Sequence, residues 1–293
     1  MTWRQLITEG SRELQGRSST PELDSRLLLG HLMTWNRHTL YLNWSQEIPA
    51  ESQALLKEYS DGIKRRKTGY PMAYLTHKKE FMGKDFYVDE GVLIPRPDTE
   101  ILVEEALRLI DLHPTPSPRI LDLCAGSGCI GISVTLATGY PVHLADLSPK
   151  ALEVAQFNSE THLGKALPLI QTDLFSNLEG TWDFILTNPP YLTPGQTEVC
   201  LNQGWCEPAM ALDGGGTQGL DLIEKLITQG APRLALQGWL LIEAAPDQDT
   251  RIQDLLSSSG LKVLPPLPDL SGRQRVWRAQ KWTNSNLSDI LNI

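Results

Sequence analysis

Behind Pro118 the chain alternates repeatedly between short apolar runs and helical stretches. The runs at 119–123, 142–146, 167–171, 182–187 and 238–243 read as strands, and 130–138, 149–161, 220–236 and 247–259 read as the helices between them. Apolar strands separated by helices need a parallel sheet covered on both faces, because each strand must bury both sides. Two further runs, 261–263 and 274–279, extend the sheet. This α/β pattern restricts the choice of fold more than any composition figure does.

The first 68 residues have a different texture. Thr2 can cap a helix that buries Leu6, Ile7 and Leu14. Thr20-Pro21 starts a second helix, whose Leu23, Leu27, Leu28 and Leu32 recur at helical spacing and are expected in its core. Pro49 opens a third helical segment, carrying Ala54, Leu55 and Ile63, that ends in Lys64-Arg65-Arg66-Lys67. From Pro71 to Pro97, short strands with Gly83 and Gly91 predict a hairpin, and Pro97-Asp98 begins a helix that runs to about Leu112. The expected divisions are a helical domain at 1–70, a β-hairpin linker at 71–95, a catalytic domain at 96–282 and a loose polar tail at 283–293. No internal repeat is visible.

Several function classes are disfavoured at once. The start of the chain lacks the apolar core of a signal peptide, and no run of about 18 apolar residues occurs, so a membrane role is not expected. Cys124, Cys129, Cys200 and Cys206 have no C-x-x-C spacing. Reduced thiols in a cytoplasmic protein, with no metal, are the expectation. The net charge of −9 is unevenly spread. Residues 1–90 hold 13 Lys/Arg against 12 Asp/Glu, and the rest hold 13 against 23. An acidic main body argues against direct nucleic-acid binding.

The chemistry concentrates in two places. Ile120 to Leu123 run into Cys124-Ala125-Gly126-Ser127-Gly128, and Gly131 completes G-x-G-x-x-G. Asp146 follows Gly126 by twenty residues, at the end of the second strand. Glycine lets the backbone approach a ligand, and a carboxylate there can take both ribose hydroxyls. This much suits NAD as well as S-adenosylmethionine.

The second place is Asn188-Pro189-Pro190-Tyr191, directly after the fourth strand. Ligands bind at the carboxyl ends of strands in an open parallel sheet, so this loop should face the pocket of the glycine loop. Two prolines stiffen it, and Pro189 holds Asn188 extended. The Asn188 amide oxygen and the Pro189 carbonyl can accept both hydrogens of a planar –NH2, and Tyr191 can stack on its face. Such a nitrogen is barely basic, so alignment with an electrophilic methyl matters more than a strong base.

These residues resemble a class I S-adenosylmethionine-dependent methyltransferase acting on exocyclic or amide nitrogen. More narrowly, the chain resembles the peptide chain release factor glutamine N5-methyltransferases. The likeness extends from Leu23 to about Gln280 and includes Asp24 to Leu29, Glu80 to Gly83, Val92 to Glu100, Glu207 to Gly216 and Asp269 to Arg275. It implies a Rossmann-like seven-stranded sheet with a small N-terminal helical domain and a hairpin linker. The implied donor is S-adenosyl-L-methionine, with S-adenosyl-L-homocysteine as product. The implied partner is a release factor, methylated by a monomeric enzyme on the glutamine of its Gly-Gly-Gln motif.

By position, the resemblance assigns Cys124, Ala125, Gly126, Ser127 and Gly128 to the methionine end of the donor. Asp146 takes the ribose, and Asp173 and Leu174 flank the adenine. Asn188, Pro189, Pro190 and Tyr191 are the catalytic residues and hold the glutamine amide; Asn188 also borders the donor. Residues 96–100, Arg96 and Glu100 foremost, line or close the substrate pocket, although Pro97, Asp98 and Glu100 equally suit a helix cap. The sequence departs from the family pattern at Cys124-Ala125, Leu174, Thr217-Gln218 and Ala245.

Rival readings share much of this. A glutamine methyltransferase for a large-subunit ribosomal protein would use the same catalytic residues. An adenine-N6 or guanine-N2 nucleic-acid methyltransferase also suits Asn-Pro-Pro-Tyr, against which stand the acidic body and the lack of a basic target-reading domain. A silent S-adenosylmethionine-binding adaptor would not need an intact Asn188 to Tyr191. An NAD oxidoreductase lacks an evident hydride-transfer constellation.

Overall fold

The computed structural model describes residues 1–282, so the expected tail at 283–293 lies outside the described residues. The chain divides into two compact units. One holds Met1–Lys78 with Val199–Cys206, and the other holds Lys79–Glu198 and resumes at Glu207.

The first unit is helical. Helix α1 (Trp3–Leu14) starts with a reciprocal capping box, in which Thr2 Oγ1 accepts the Gln5 N–H and Gln5 Oε1 accepts the Thr2 N–H. Helix α2 (Pro21–Leu32) has Pro at its first position. Two short helices were not foreseen: α3 (Arg37–Asn43), capped by Asn36, and α5 (Met72–Leu75), which follows α4 (Gln53–Lys67). Trp3, Leu6, Ile7, Leu14, Leu28, Leu29, Leu40, Tyr59 and Ile63 form the core.

The leucine stripe of α2 is corrected. Leu28 and Leu29 are buried, but Leu23 and Leu27 are about half exposed, at 50% and 48%. Polar contacts set the helix's rotation. Asp24 is buried against Arg66 of α4 (2.6 Å), and the Ser25 hydroxyl donates to the Ile7 carbonyl (2.8 Å). With 24, 25, 28 and 29 facing inward, 23 and 27 fall on the outer edge. Part of the basic cluster is therefore structural: Arg66 holds Asp24, and the Arg65 guanidinium lies 3.9 Å from the centre of the Tyr70 ring.

The second unit opens with a hairpin, β1 (Lys79–Phe81) paired antiparallel with β2 (Lys84–Phe86). Its turn residues Met82 and Gly83 both have positive φ, +50° and +69°, as a tight hairpin turn requires. The strands are much shorter than the 71–95 span expected of the linker. Phe81 and Phe86 are buried at their ends. A single 3-10 turn at Pro97–Thr99 then leads into α6 (Glu100–Asp111).

The alternation follows: β3 (Ile120–Leu123), α7 (Cys129–Thr138), β4 (Val142–Asp146), α8 (Pro149–Leu163), β5 (Leu169–Gln171), β6 (Trp182–Thr187), α9 (Pro194–Asn202), α10 (Asp221–Arg233), β7 (Leu234–Glu243), α11 (Asp249–Ser258), β8 (Leu261–Pro268) and β9 (Gln274–Lys281). The seven strands lie in the order β5-β4-β3-β6-β7-β9-β8. The first five are parallel, whereas β9 runs antiparallel to β7 and to β8. The sheet is therefore mixed rather than wholly parallel. The short link between β8 and β9 can close a hairpin but not a crossover. One face packs on α10 and α11 through Ile223, Leu226, Ile227 and Leu256, and the other on α6 and α7 through Leu102, Val103, Ile130 and Val134.

Several boundaries differ from expectation. Helix α10 stops at Arg233 rather than 236, just after Pro232, which cannot donate to the helix ladder. Strand β7 starts at Leu234 rather than 238 and is kinked at Gln237, where φ is +64° and the pairing with β6 shifts register. Strand β5 begins after Pro168. Strand β8 includes Pro265, Pro266 and Pro268, tolerated because it is the edge strand.

Candidate active site

Strand order reverses beside β3, whose neighbours are β4 on one side and β6 on the other. The carboxyl ends of these strands open a cleft there, as expected of an open α/β sheet. It spans about 980 Å³ of space, part of it open solvent.

The loop after β3 forms one wall. Cys124, Gly126 and Gly128 have φ of +60°, +53° and +77°. For Gly126 this conformation, not space, demands glycine, since an added Cβ would meet nothing within 4 Å. Gly131 differs: a Cβ there would collide with Leu144 and lie 2.9 Å from Val142, so this glycine lets α7 pack on β4. Asp146, at the end of β4, accepts the Gly126 N–H through Oδ2 and the Ser148 N–H through Oδ1, both at 2.9 Å. Its carboxylate is thus oriented in advance and keeps lone pairs for a ligand. Burial raises its pKa against these bonds. Burial also raises both loop thiols, Cys129 to about 12, so neither serves as a thiolate.

The loop after β6 forms another wall. Asn188 lines the cleft, and its Nδ2 donates to Thr99 Oγ1 at 3.2 Å. Behind Pro190 and Tyr191 runs the backbone of 214–219: a Cβ on Gly214 would lie 2.8 Å from the Pro190 carbonyl oxygen, and one on Gly219 would strike the Tyr191 carbonyl. Gln248 Nε2 donates to the Tyr191 carbonyl (2.9 Å) and the Gln218 carbonyl (2.8 Å). The glycine run at 214–216 therefore supports the Asn-Pro-Pro-Tyr loop.

Of the residues singled out in the sequence, the cleft gathers Arg96, Cys124, Ala125, Gly126, Ser127, Asp146, Asp173, Leu174, Asn188 and Pro190. Gly128, Pro189 and Tyr191 do not line it. Tyr191 packs instead against the core, where burial and the neighbouring Glu243 push its pKa up to about 12. Glu100 lies outside the lining, and its Oε1 accepts the Met82 N–H (2.8 Å), anchoring the hairpin turn. Arg96 pairs with the buried Glu207 (2.6 Å), next to Pro208 and Met210 of the cleft wall. Arg275 joins Asp98 (3.3 Å) to Asp269 (3.0 Å), so two blocks remote in sequence meet here.

Two residues, Asp122 and Glu243, carry no role in the sequence analysis, whereas Thr99 falls in the 96–100 stretch expected at the pocket. Thr99 lines the cleft. Asp122, fully buried, accepts the Gly131 N–H (2.9 Å) through Oδ2, while its Oδ1 has no partner among the described residues. Glu243 is 1% exposed at the end of β7. Burial pushes both carboxyls up to about 7. Their only sequence signal is an acid inside an otherwise apolar strand. Among the described residues, no three His, Cys, Asp or Glu side chains come together as a metal site, and no helix is long and apolar enough to cross a membrane.

A protein from Borreliella burgdorferi named release factor glutamine methyltransferase is 35% identical over 254 residues, 86% of this chain and 87% of that one. One of the same name from Moorella thermoacetica is 36% identical over 288 residues, 96% and 99% of the two chains. The chain belongs to the release factor glutamine methyltransferase family. Residues 5–76 match the model of the PrmC N-terminal domain and residues 99–220 that of the methyltransferase small domain.

The sheet is that of class I methyltransferases. A crystal structure of a methyltransferase from Pyrococcus furiosus superposes with a TM-score of 0.53 at 15% identity, covering 70% of this chain and 92% of that one. A 16S rRNA N2 G1207 methyltransferase from T. thermophilus, solved with AdoMet and guanosine, gives 0.50 at 18% identity, covering 70% and 49%. These two likenesses bear on the fold. Within the family, the cleft's residues suit an S-adenosyl donor: a backbone loop free of side chains at Gly126, a pre-oriented carboxylate at Asp146, and Asp173 with Leu174 on the same lining.

Proposed function

We propose that this protein methylates the side-chain amide nitrogen, N5, of the glutamine in the Gly-Gly-Gln motif of a peptide chain release factor, with S-adenosyl-L-methionine as donor. The observation that carries the reading is the placement of Asn188: it directly follows β6 and lines the same cleft as Gly126 and Asp146, in a chain of this family. When bound, S-adenosylmethionine supplies a methyl group on a sulfonium, an electrophile matched to a weakly basic nitrogen.

The chain's own residues then have assignable roles. Cys124 to Gly128 hold the methionine end through backbone groups, Asp146 takes the ribose hydroxyls, and Asp173 with Leu174 borders the adenine. Asn188 Oδ1 and the Pro189 carbonyl accept the two amide hydrogens of the substrate glutamine and fix the plane of its –NH2. Alignment is the main contribution, since an amide nitrogen needs orientation more than a strong base. Tyr191 supports this loop from the core side.

The helical unit is assigned to recognition of the protein substrate. Leu23 and Leu27, one turn apart on α2, and Leu42 of α3, 66% exposed, offer apolar surface suited to a protein partner. We assign the protein to the cytoplasm, in keeping with the lack of C-x-x-C spacing among its four cysteines.

The test is methyl transfer from labelled donor to three substrates side by side: a release factor, the same factor with its Gly-Gly-Gln glutamine replaced, and duplex DNA. Label on the first alone is expected. Label on the glutamine-replaced factor or on DNA would overturn the assignment of the target.

A further inference from the structure

Between Asn188 and Tyr191 the backbone has few ways to turn, because proline fixes φ at both Pro189 and Pro190. The direction of the Pro189 carbonyl, one of the two acceptors assigned to the substrate –NH2, then depends on how the two ends of the segment are held.

The leading end is held by the sheet: Thr187 pairs with Leu123 of β3 and with Ile242 of β7. The trailing end lies beyond the strand and is held by other means. Leu192 donates its N–H to the Leu212 carbonyl (2.9 Å) and accepts the Gly214 N–H (2.8 Å). The Tyr191 carbonyl accepts from Gln248 Nε2 at 2.9 Å, with the Gly219 backbone packed close against it.

Gln248 closes the 3-10 turn Pro246–Gln248 ahead of α11 and is 5% exposed. Its amide is engaged at both ends. Oε1 accepts the Ala245 N–H (3.1 Å), while Nε2 donates to the Tyr191 carbonyl and to the Gln218 carbonyl (2.8 Å). A backbone N–H can only donate and a carbonyl can only accept, so these partners settle which end of the amide is which. None of the three bonds reaches Gly126, Asp146 or Asp173, the residues assigned to the donor.

We propose that Gln248 is a positioning residue for methyl transfer. By fixing the Tyr191 carbonyl it sets the aim of Asn188 and of the Pro189 carbonyl at the substrate amide, and it governs turnover rather than donor binding. This rests on the glutamine-methyltransferase reading above and adds to it a residue, outside the cleft lining, on which the alignment depends.

The experiment compares wild type with Gln248→Glu and Gln248→Met. Glutamate keeps the length and the acceptor for Ala245, but when ionised it cannot donate to either carbonyl. Methionine keeps the bulk and removes both polar groups. Each variant is expected to lower kcat on a release factor by about 10- to 100-fold, as for a small misplacement of the reacting groups. Donor affinity, by calorimetry, should be little changed.

A double-mutant cycle supplies the readout that a merely structural role would not move. If Gln248 acts through the amide clamp, it has little left to align once Asn188 is gone. In an Asn188→Ala background, Gln248→Met should lower kcat further by less than about threefold. Equal factors in the two backgrounds would overturn the proposal. So would wild-type kcat in both single variants, or donor affinity lost in step with turnover.

A second measurement uses wild type alone. In ¹⁵N-labelled protein the Gln248 side-chain –NH2, assigned through its own backbone, should exchange slowly with solvent, because it is buried and bonded to two carbonyls. Rapid exchange would overturn the proposal. If wild type failed to methylate any release factor, the functional reading would fall, and the exchange measurement would still judge the hold on Tyr191.

Discussion

At the scale of single residues, Asn188 and Asp146 contribute in separable ways. Asp146 belongs to the donor end of the cleft, held by the Gly126 and Ser148 N–H groups. Asn188 belongs to the acceptor end. Asn188→Ala is therefore expected to lower kcat by about 100-fold or more, as for loss of a preorganised orienting group. Donor affinity should stay within a few-fold of wild type. Single-turnover methylation and calorimetry on the same sample check both halves; turnover near wild type would remove the amide clamp from the mechanism. The glycine loop and the Asn-Pro-Pro-Tyr loop were legible in the sequence because each is a local signal, in which turn chemistry and a rigid dipeptide are written in adjacent residues. The contact between Asn188 and Thr99 was not, because nothing local links positions 99 and 188.

At the scale of elements, close packing makes one glycine a test of the sheet. Helix α7 lies so near β4 that Gly131 has no room for a methyl group. Gly131→Ala is expected to cost about 1–3 kcal/mol, the usual penalty for overpacking, read as a lower denaturation midpoint. The folded fraction should still bind donor, since Gly131 is not part of the cleft lining. Helix α2 offers a complementary case. Leu23 and Leu27 contribute little to the core, so the double change to Asp should barely alter stability. It should raise the KM for a release factor while leaving donor affinity unchanged. Unaltered kinetics with the intact factor would assign recognition to another surface. Helical spacing alone placed these leucines in the core; the buried Asp24–Arg66 pair and the Ser25 bond turned them outward, and pairs between separate helices leave no periodic trace.

At the scale of the whole molecule, the second unit carries two carboxyls, Asp122 and Glu243, inside its sheet, both pushed up to about 7 by burial. In the unfolded chain they titrate near their ordinary values, 3.8 and 4.5. Between about pH 4 and pH 7 the folded state holds protons that the unfolded state has released. Their contribution to stability is fully present below that window and is lost as pH rises through about 7. Asp122→Asn removes one of these titrations while keeping an acceptor for the Gly131 N–H. Relative to wild type, the variant should gain stability between pH 5 and pH 8, by roughly 3 kcal/mol if the full difference is expressed. Urea unfolding of both proteins across that range measures it; parallel pH curves would mean that Asp122 is already ionised in the folded state.

Across the molecule, what was legible in the chain follows from local physics. Hydrophobic periodicity marked the alternation of strands and helices, and glycine and proline marked the turns that carry the site. Strand direction at β9, the kink at Gln237 and the neighbourhood of Asn188 depend on which segments lie side by side. Such choices are settled by burial summed over the whole sheet. A pairing between residues a hundred positions apart is favoured only after the intervening chain has found its own place.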